Sequence, residues 1–222
     1  MIAPRLDREA IAMRVARELP DGAYVNLGIG IPTLVSQFVP EGRTVVYQAE
    51  NGVLNYGPLA QREEELDVDL INAGGQFLLP VPGMAFFDSA QAFAMIRGGH
   101  VDVAVLGALQ VSQTGDLANW MLPERGIGNI GGAMDLAAGA RRIIVAMEHT
   151  DPHGRPKVVR ECTYPLTGRA CVSLVVTDVA VLEVTPRGLL LKEVAPGWTT
   201  EAVQKITEPR LLLAPDLKEM EL

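Results

Sequence analysis

A chain of 222 residues, 48% of them hydrophobic and with a net charge of −8, is long enough for one domain with a sizeable core. Its acidic balance argues against nucleic acids and anionic membrane surfaces as partners. Two cysteines make no disulfide framework, charged residues interrupt the N-terminus, and no apolar run reaches membrane-spanning length, so we expect one soluble cytoplasmic domain over residues 1–222.

Helix and strand patterns alternate from the N-terminus onwards. Apolar residues four apart from Ile11 to Leu19 predict an amphipathic helix that ends at the Pro-Asp-Gly of 20–22. The following residues predict a buried strand over 23–27, a helix over 33–38 and a strand over 44–48.

The same alternation continues through the middle of the chain. Strands are predicted over 67–72, 101–106 and 142–147, with helices over 88–97 and 135–140. Several of these strands are apolar throughout, which is typical of a mostly parallel sheet with helices on both faces. Near the C-terminus the pattern changes to a predicted antiparallel hairpin over 179–194. The expected fold class is therefore α/β.

A single carboxylate, Glu50, follows the predicted strand over 44–48 and precedes the dipeptide Asn51-Gly52. Asn-Gly is a strong turn signal, so one interpretation makes Glu50 a solvated residue at a hairpin tip. In open α/β sheets, however, ligands bind outside the carboxyl ends of the strands. Loops with glycines at 28 and 30 and at 74 and 75 also follow predicted strands. The three loops are therefore candidates to converge at one edge of the sheet.

A glycine-rich stretch at 126–131 matches G-x-G-x-x-G, which is the dinucleotide-binding fingerprint. That fingerprint must leave a buried strand, whereas proline and two charges precede this one, so NAD binding is not expected. The glycines at 131 and 132 also precede a predicted helix, where bare backbone N–H groups can hold an oxyanion. A flexible loop with a tight turn is the alternative interpretation.

Other catalytic patterns are missing from the sequence. His149 and His153 are four apart, but Pro152 between them argues against a helical metal site, and the two cysteines lack a C-x-x-C spacing. Neither a G-x-S-x-G elbow nor a G-x-x-x-x-G-K-[ST] phosphate loop occurs. We therefore expect no metal and no permanently bound cofactor, and carboxylate chemistry remains.

Seven motifs in a fixed order carry a resemblance to a known family. They are VNLGIGIP at 25–32, ENG at 50–52, FDS at 87–89, RGGH at 97–100, GGAMDL at 131–136, MEHT at 147–150 and PLTG at 165–168. With these motifs the chain resembles the B (beta) subunit of the 3-oxoacid coenzyme A-transferases, from about residue 7 to residue 208. Two local departures, Ala49 and the pair Asn55-Tyr56, leave the choice of acyl group open.

The resemblance implies a fold, a reaction and roles for particular residues. Glu50 would be the nucleophile and Gly131, of the pair Gly131-Gly132, the oxyanion donor. The residues implied to line the coenzyme A pocket are Asn26, Gly28, Gly30, Asn51, Gly52 and Gly132. Coenzyme A would be both substrate and covalent intermediate, passing between a short-chain acyl-CoA such as succinyl-CoA or acetyl-CoA and a 3-oxoacid such as acetoacetate or 3-oxoadipate.

The family also implies a companion A subunit. A hetero-oligomer of α2β2 type is then expected, with a homodimer for the isolated chain. The chemistry is consistent with the residues alone, because carboxylates are ordinarily ionised at neutral pH and can attack a thioester without a base. Two alternatives stay open at this point. One is a sugar-phosphate isomerase with Glu50 as general base, which would need clustered Lys or Arg, and the other is a non-catalytic acyl-CoA-binding regulatory module.

Overall fold

A ten-stranded mixed sheet runs through the computed structural model, which describes residues 3–222. The strands are β1 (Ala23–Leu27), β2 (Val45–Ala49), β3 (Val53–Leu54), β4 (Ala85–Phe86), β5 (Val103–Leu106), β6 (Gln110–Ser112), β7 (Leu117–Ala118), β8 (Arg142–Met147), β9 (Val158–Val159), β10 (Val172–Thr177), β11 (Ala180–Thr185), β12 (Gly188–Val194) and β13 (Leu212–Glu219). The helices are α1 (Arg8–Ala16), α2 (Ile31–Leu34), α3 (Ser89–Arg97), α4 (Ala133–Gly139) and α5 (Thr200–Lys205).

The large sheet has the order β13-β12-β11-β10-β8-β5-β1-β2-β3-β4, and β7-β6-β9 form a small second sheet. The centre of the large sheet, from β10 to β2, is parallel throughout. All four residues of β5 are buried, as are the last five of β8. Strands that are covered on both faces have apolar residues throughout instead of alternating polar and apolar ones. The sequences of β5 and β8 show this continuous apolar pattern. The predicted α/β class is confirmed.

Two pairs of helices pack together around this centre: α1 with α2, and α3 with α4. The chain leaves β1 through α2 towards β2, and later returns through α3 to β5 on the other side of β1. Because parallel crossovers are right-handed, the two directions place α2 and α3 on opposite faces of the sheet. The two nine-residue helices, α1 and α3, each begin at an aspartate N-cap. Asp7 accepts a hydrogen bond from the Ala10 amide at 2.8 Å, and Asp88 accepts one from the Gln91 amide at 2.8 Å.

The predicted strand over 67–72 is wrong. This segment is a turn and loop with a single isolated bridge between Ile71 and Phe77. Val68 is 77% exposed, so the apolar alternation has no sheet to pack on. The Asn72 side-chain oxygen instead accepts from the amides of Gly74 and Gln76, which closes a local loop.

Smaller differences concern helix boundaries and the C-terminal strands. The helix expected over 33–38 is α2 followed by a 3-10 turn at Val35–Gln37, with Pro32 in its first turn. The predicted hairpin is confirmed as β11 and β12, which pair antiparallel around Gly188 at a φ of 122°. The parallel pairing of β13 with β12 was not predicted. No helix among residues 3–222 has the length and apolar character needed to cross a membrane.

Candidate active site

Glu50 lies directly beyond the carboxyl end of β2, next to the end of β1. In the sheet β1 lies between β2 and β5. The chain therefore continues from β1 to β2 on one side and comes back to β5 on the other side. Such a reversal of strand order opens a crevice at the carboxyl ends of the strands. The position of Glu50 therefore matches the place where ligands bind in open α/β sheets.

One oxygen of Glu50 is held by Asn26 on β1. The Asn26 side-chain nitrogen Nδ2 lies 3.1 Å from Oε2 of Glu50 and 2.7 Å from Oε1 of Gln48. Asn26 and Gln48 are each only 1% exposed. Gln48 precedes Glu50 by two residues and pairs with Asn26 across the parallel strands, which places the three side chains on one face. Gln48 was missed in the sequence, although this period of two was visible there.

The turn after Glu50 requires glycine at position 52. Gly52 has a φ of 118°, and a Cβ on it would lie only 2.0 Å from the backbone oxygen of Phe87. The Gly52 amide donates to the Ala49 carbonyl at 3.0 Å, and the Gly52 carbonyl accepts from the Phe87 amide at 3.0 Å. These hydrogen bonds form a backbone clamp that joins the turn to the segment before α3 and fixes the position of the Glu50 backbone.

Asn51 uses its side chain to hold a neighbouring loop. Its Nδ2 donates to the Ile71 carbonyl at 2.7 Å. A Cβ on Gly74 in that loop would lie 3.8 Å from Thr33 near the start of α2. The loops around Gly30, Glu50 and Gly74 therefore do come together, although the last follows no strand.

The glycine pair before α4 contacts the other side of Glu50. A Cβ on Gly132 would lie 3.3 Å from Cγ of Glu50 and 3.3 Å from the Phe93 ring. Gly131 has a φ of 49°, and a Cβ there would meet nothing within 4 Å. Of the two glycines it is thus Gly132 that packs on Glu50, while Gly131 gives the backbone its left-handed turn. Phe93 is a further contact that the sequence did not indicate.

The loop after β1 also depends on small residues. The Gly28 amide donates to the Val105 carbonyl at 2.8 Å, and a Cβ there would lie 3.2 Å from the same oxygen. Gly30 has a φ of 97° with open space around it, and it directly precedes α2. Between them Ile29 is 73% exposed. The loop is therefore close to the sheet at Gly28 and open at its tip.

Two stacked phenols lie behind the turn. The rings of Tyr47 and Tyr56 have centroids 5.4 Å apart, and both residues are buried. Burial raises the pKa of Tyr56 above its ordinary value, and the nearby Glu50 carboxylate raises it further. Burial likewise raises the pKa of Tyr47, whose hydroxyl has no hydrogen-bond partner within residues 3–222. Both phenols therefore stay neutral near Glu50.

A second cleft lies elsewhere, beyond the ends of β8 and β10. It has a volume of about 1060 Å³, and its lining contains arginines that are mostly paired with carboxylates. These pairs are Arg5 with Asp178, Arg8 with Glu148 and Arg155 with Asp151. His149 is buried nearby, with its ring nitrogens 3.0 Å from the Thr177 hydroxyl and 2.8 Å from the Thr207 hydroxyl. This cleft contains none of the residues predicted for the site.

Comparison with known proteins identifies the family of the chain. The model of the coenzyme A transferase family matches residues 8–205. The chain belongs to the coenzyme A transferase family. Over 203 residues it is 51% identical to the B subunit of the succinyl-CoA:3-ketoacid coenzyme A transferase of Helicobacter pylori, covering 90% of this chain and 96% of that one. Over 207 residues it is 52% identical to the B subunit of the 3-oxoadipate CoA-transferase of Pseudomonas putida, covering 93% and 96%.

The fold is shared with solved structures of lower sequence identity. The acyl-CoA transferase YdiF of Escherichia coli O157:H7 superposes with a TM-score of 0.77 at 21% identity. The match covers 100% of this chain but only 44% of YdiF, so this chain spans less than half of that longer protein. The relatives of similar length are named as B subunits, which makes this chain one subunit of a transferase that works with a partner.

Proposed function

We propose that this chain supplies the nucleophile, Glu50, of a transferase that moves coenzyme A between carboxylic acids. The observation that carries the proposal is the environment of the carboxylate at the end of β2. Asn26 donates to Oε2 at 3.1 Å, while Oε1 has no hydrogen-bond partner within residues 3–222. A carboxylate with one oxygen fixed and one free is oriented for attack and needs no neighbouring base.

The reaction follows from this arrangement in two exchanges. The free oxygen of Glu50 attacks the thioester carbonyl, the carbon–sulfur bond breaks, and the coenzyme A thiolate leaves an acyl-glutamyl anhydride. The thiolate then attacks the side-chain carbonyl carbon of Glu50, and the first acid departs as a carboxylate. The product is a glutamyl-coenzyme A thioester. A second carboxylic acid reverses these steps and leaves as the new acyl-CoA.

Each nucleophilic addition to a carbonyl group places negative charge on the carbonyl oxygen, and a hydrogen-bond donor must stabilise that oxyanion. The backbone amides of Gly131 and Gly132 are our candidates, with Gly131 as first choice by resemblance. The contact between Gly132 and Glu50 supports a role for the pair. One well-placed donor of this kind typically contributes about 3–4 kcal/mol to the transition state. The other proposed contacts to coenzyme A come from Asn26, Gly28, Gly30, Asn51 and Gly52.

For the substrates we propose a short-chain acyl-CoA, such as succinyl-CoA or acetyl-CoA, and a 3-oxoacid. The support is that the relatives are named for 3-ketoacid and 3-oxoadipate transfer. Tyr56 is neutral, buried and close to Glu50, so it is our candidate for adjusting the choice of acyl group.

For the partner we propose a companion A subunit in an α2β2 hetero-oligomer. Apolar side chains stand exposed on the loops nearest to the site. Ile29, Ile127 and Ile130 are exposed by 73%, 82% and 53%. Exposed apolar residues grouped on loops around a site are typical of a surface that a partner covers.

Steady-state kinetics of the complex with its A subunit test the proposal. We expect ping-pong kinetics, no turnover for Glu50→Gln, and on the order of 100-fold slower turnover for Glu50→Asp, because the shorter arm moves the nucleophile by about 1 Å. Glu41→Gln, an exposed glutamate ahead of β2, is the matched control and should keep full activity. Full activity of Glu50→Gln would exclude the nucleophile and favour a general-base or regulatory role.

A further inference from the structure

Gln48 is a buried polar residue with no role in the reaction steps above. It lies on β2, two residues before Glu50, and is 1% exposed. Its Oε1 accepts from Asn26 at 2.7 Å, and its Nε2 lies 3.5 Å from the Ala92 carbonyl in α3. A buried amide that makes both kinds of hydrogen bond is fixed in one orientation, because a flip would oppose donor to donor and acceptor to acceptor.

The Asn26 amide is the next member of this chain of contacts. Its nitrogen lies near three acceptors, namely the Gln48 backbone oxygen at 3.1 Å, the Gln48 Oε1 at 2.7 Å and the Glu50 Oε2 at 3.1 Å. An amide nitrogen carries two hydrogens, so three acceptors share two donors. The Asn26 Oδ1 is buried without a partner within residues 3–222. Leaving that oxygen unpaired is costly, so strong acceptors must hold the amide this way round.

Those acceptors do not all persist through the reaction. While Glu50 is a carboxylate, its negative charge strengthens the hydrogen bond from Asn26. In the anhydride and the thioester Glu50 is neutral, and that bond weakens. The two oxygens of Gln48 keep their positions, so they alone anchor the Asn26 side chain beside the Glu50 carbonyl in the covalent states. Asn26 is then still in place when the glutamyl carbonyl is attacked again.

We propose that Gln48 is a positioning residue that acts through Asn26 to orient Glu50 in the covalent intermediates. The inference rests on the proposed function of Glu50. Gln48 itself touches no reacting atom. Its effect should therefore appear in turnover, and in the breakdown of the glutamyl thioester, more than in coenzyme A binding.

Removing the side-chain oxygen tests the proposal in the complex with the A subunit. Gln48→Met keeps the length of the side chain but loses the acceptor, and we expect kcat to fall about tenfold, the effect of one hydrogen bond, with little change in KM. Gln91→Met, an exposed glutamine on α3, is the control and should match the wild type. A wild-type kcat for a folded Gln48→Met would overturn the proposal.

The isosteric substitution Gln48→Glu gives a readout that packing alone would not change. As a neutral acid, residue 48 can still accept from Asn26 and donate to Ala92. As a carboxylate it repels Glu50 and draws the Asn26 N–H groups to itself. The kcat of Gln48→Glu relative to the wild type should therefore be highest at low pH and fall as the pH rises. A ratio that does not change with pH would contradict the proposal.

Other charges near this position do not provide the same effect. From α3, Arg97 lies over the Phe93 ring and is paired with Asp135 of α4, while β1 and β2 contribute Asn26 and the neutral Tyr47. The variant carboxyl and Glu50 are thus the acids that face each other. Gln48→Glu also keeps the test decisive if Gln48→Met fails to fold, because its neutral form reproduces the native contacts.

A double-mutant cycle separates action through Asn26 from a general structural effect. If Gln48 acts through Asn26, Gln48→Met should add less than twofold to the loss in Asn26→Ala, whereas independent roles multiply. The glutamyl-coenzyme A adduct should form in every variant but break down more slowly in Gln48→Met. A missing adduct in the wild type would contradict the proposed function itself, and normal breakdown in Gln48→Met would contradict only the role of Gln48.

Discussion

Gly132 lies directly against the side chain of Glu50, since a Cβ on residue 132 would stand 3.3 Å from Cγ of the glutamate. The two residues are far apart in sequence, and α3 provides the third member of the contact through Phe93. A Cβ at that distance would be tighter than ordinary packing, so the position of the carboxylate depends on the absence of a side chain at residue 132.

Substitutions in the glycine pair should reduce the rate more than binding. Gly131→Val places a branched side chain at a φ of 49° and should shift the proposed oxyanion donor, and Gly132→Ala should push Glu50 aside. We expect turnover to fall on the order of 10- to 100-fold in both, with the coenzyme A dissociation constant little changed. Stopped-flow kinetics and calorimetry of the complex measure the two quantities.

Gly107→Ala is the control, because its Cβ would come no closer than 3.9 Å to another atom. Loss of binding with normal turnover at saturation would make the pair a binding element and not an oxyanion donor.

Much of the fold could be predicted because its periodicity is local. The apolar runs of β5 and β8, the cap at Asp88 and the hairpin of β11 and β12 all depend on neighbouring residues. The segment over 67–72 was mispredicted because strand-like alternation does not reveal whether a partner strand exists. The single domain over residues 1–222 stays a prediction.

The site was predictable in position but not in its contacts. Glu50 and the glycines stand out by their motifs, and Glu50, Gly28 and Gly30 also by their place after strands. The contact of Gly132 with Glu50, and the bond of Asn51 to Ile71, join residues that are distant in sequence. The packing of α3 and α4 brings Gly132 to Glu50, and the folding of the loop over 67–76 brings Ile71 to Asn51, so no local pattern could show either contact.

Gly52→Ala should destabilise the protein strongly. The new Cβ would lie 2.0 Å from the Phe87 carbonyl oxygen at a φ of 118°, so the turn that carries Glu50 cannot keep its shape. We expect a loss of more than ~3 kcal/mol in the free energy of unfolding by urea titration. Gly42→Ala, at a φ of 80° with open space, is the control and should lose only about 1 kcal/mol. Equal losses in both would show that the clamp at Phe87 has no energetic role.

His149 should make the protein less stable in acid. Burial lowers the pKa of His149 to about 3, with the positive charges of Arg5 and Lys157 adding to the effect. Its pKa in the unfolded chain is near 6.5, so between these values the unfolded state binds the extra proton. Stability is therefore unaffected by this group above pH 6.5 and falls as the pH drops from 6.5 towards 3, by up to about 1.4 kcal/mol per pH unit.

His149→Gln should flatten this part of the profile in chemical denaturation from pH 7 to pH 5. The glutamine can still hydrogen-bond to Thr177 or Thr207, although some stability at neutral pH will be lost. His153→Gln, at an exposed loop position, should leave the slope unchanged. An unchanged slope in His149→Gln would show that other groups cause the acid sensitivity.

The isolated chain should not turn over any pair of acyl-CoA and carboxylic acid. Relatives of the same length are B subunits, and the loops around Glu50 expose Ile29 and Ile127 to solvent. Assays of the purified chain, with and without added A subunit, measure this directly. Rapid turnover by the chain alone would argue against a shared site.

Mapping the covalent adduct tests the role of Glu50 most directly. The complex is incubated with an acyl-CoA and no acceptor acid, and this chain is weighed by mass spectrometry. We predict a gain of one coenzyme A less one water, lost on treatment with hydroxylamine and absent in Glu50→Gln. Borohydride should reduce the thioester, and peptide mapping should place the mark on residue 50. A mark on any other residue, or turnover without an adduct on this chain, would contradict the assignment of Glu50 as the nucleophile.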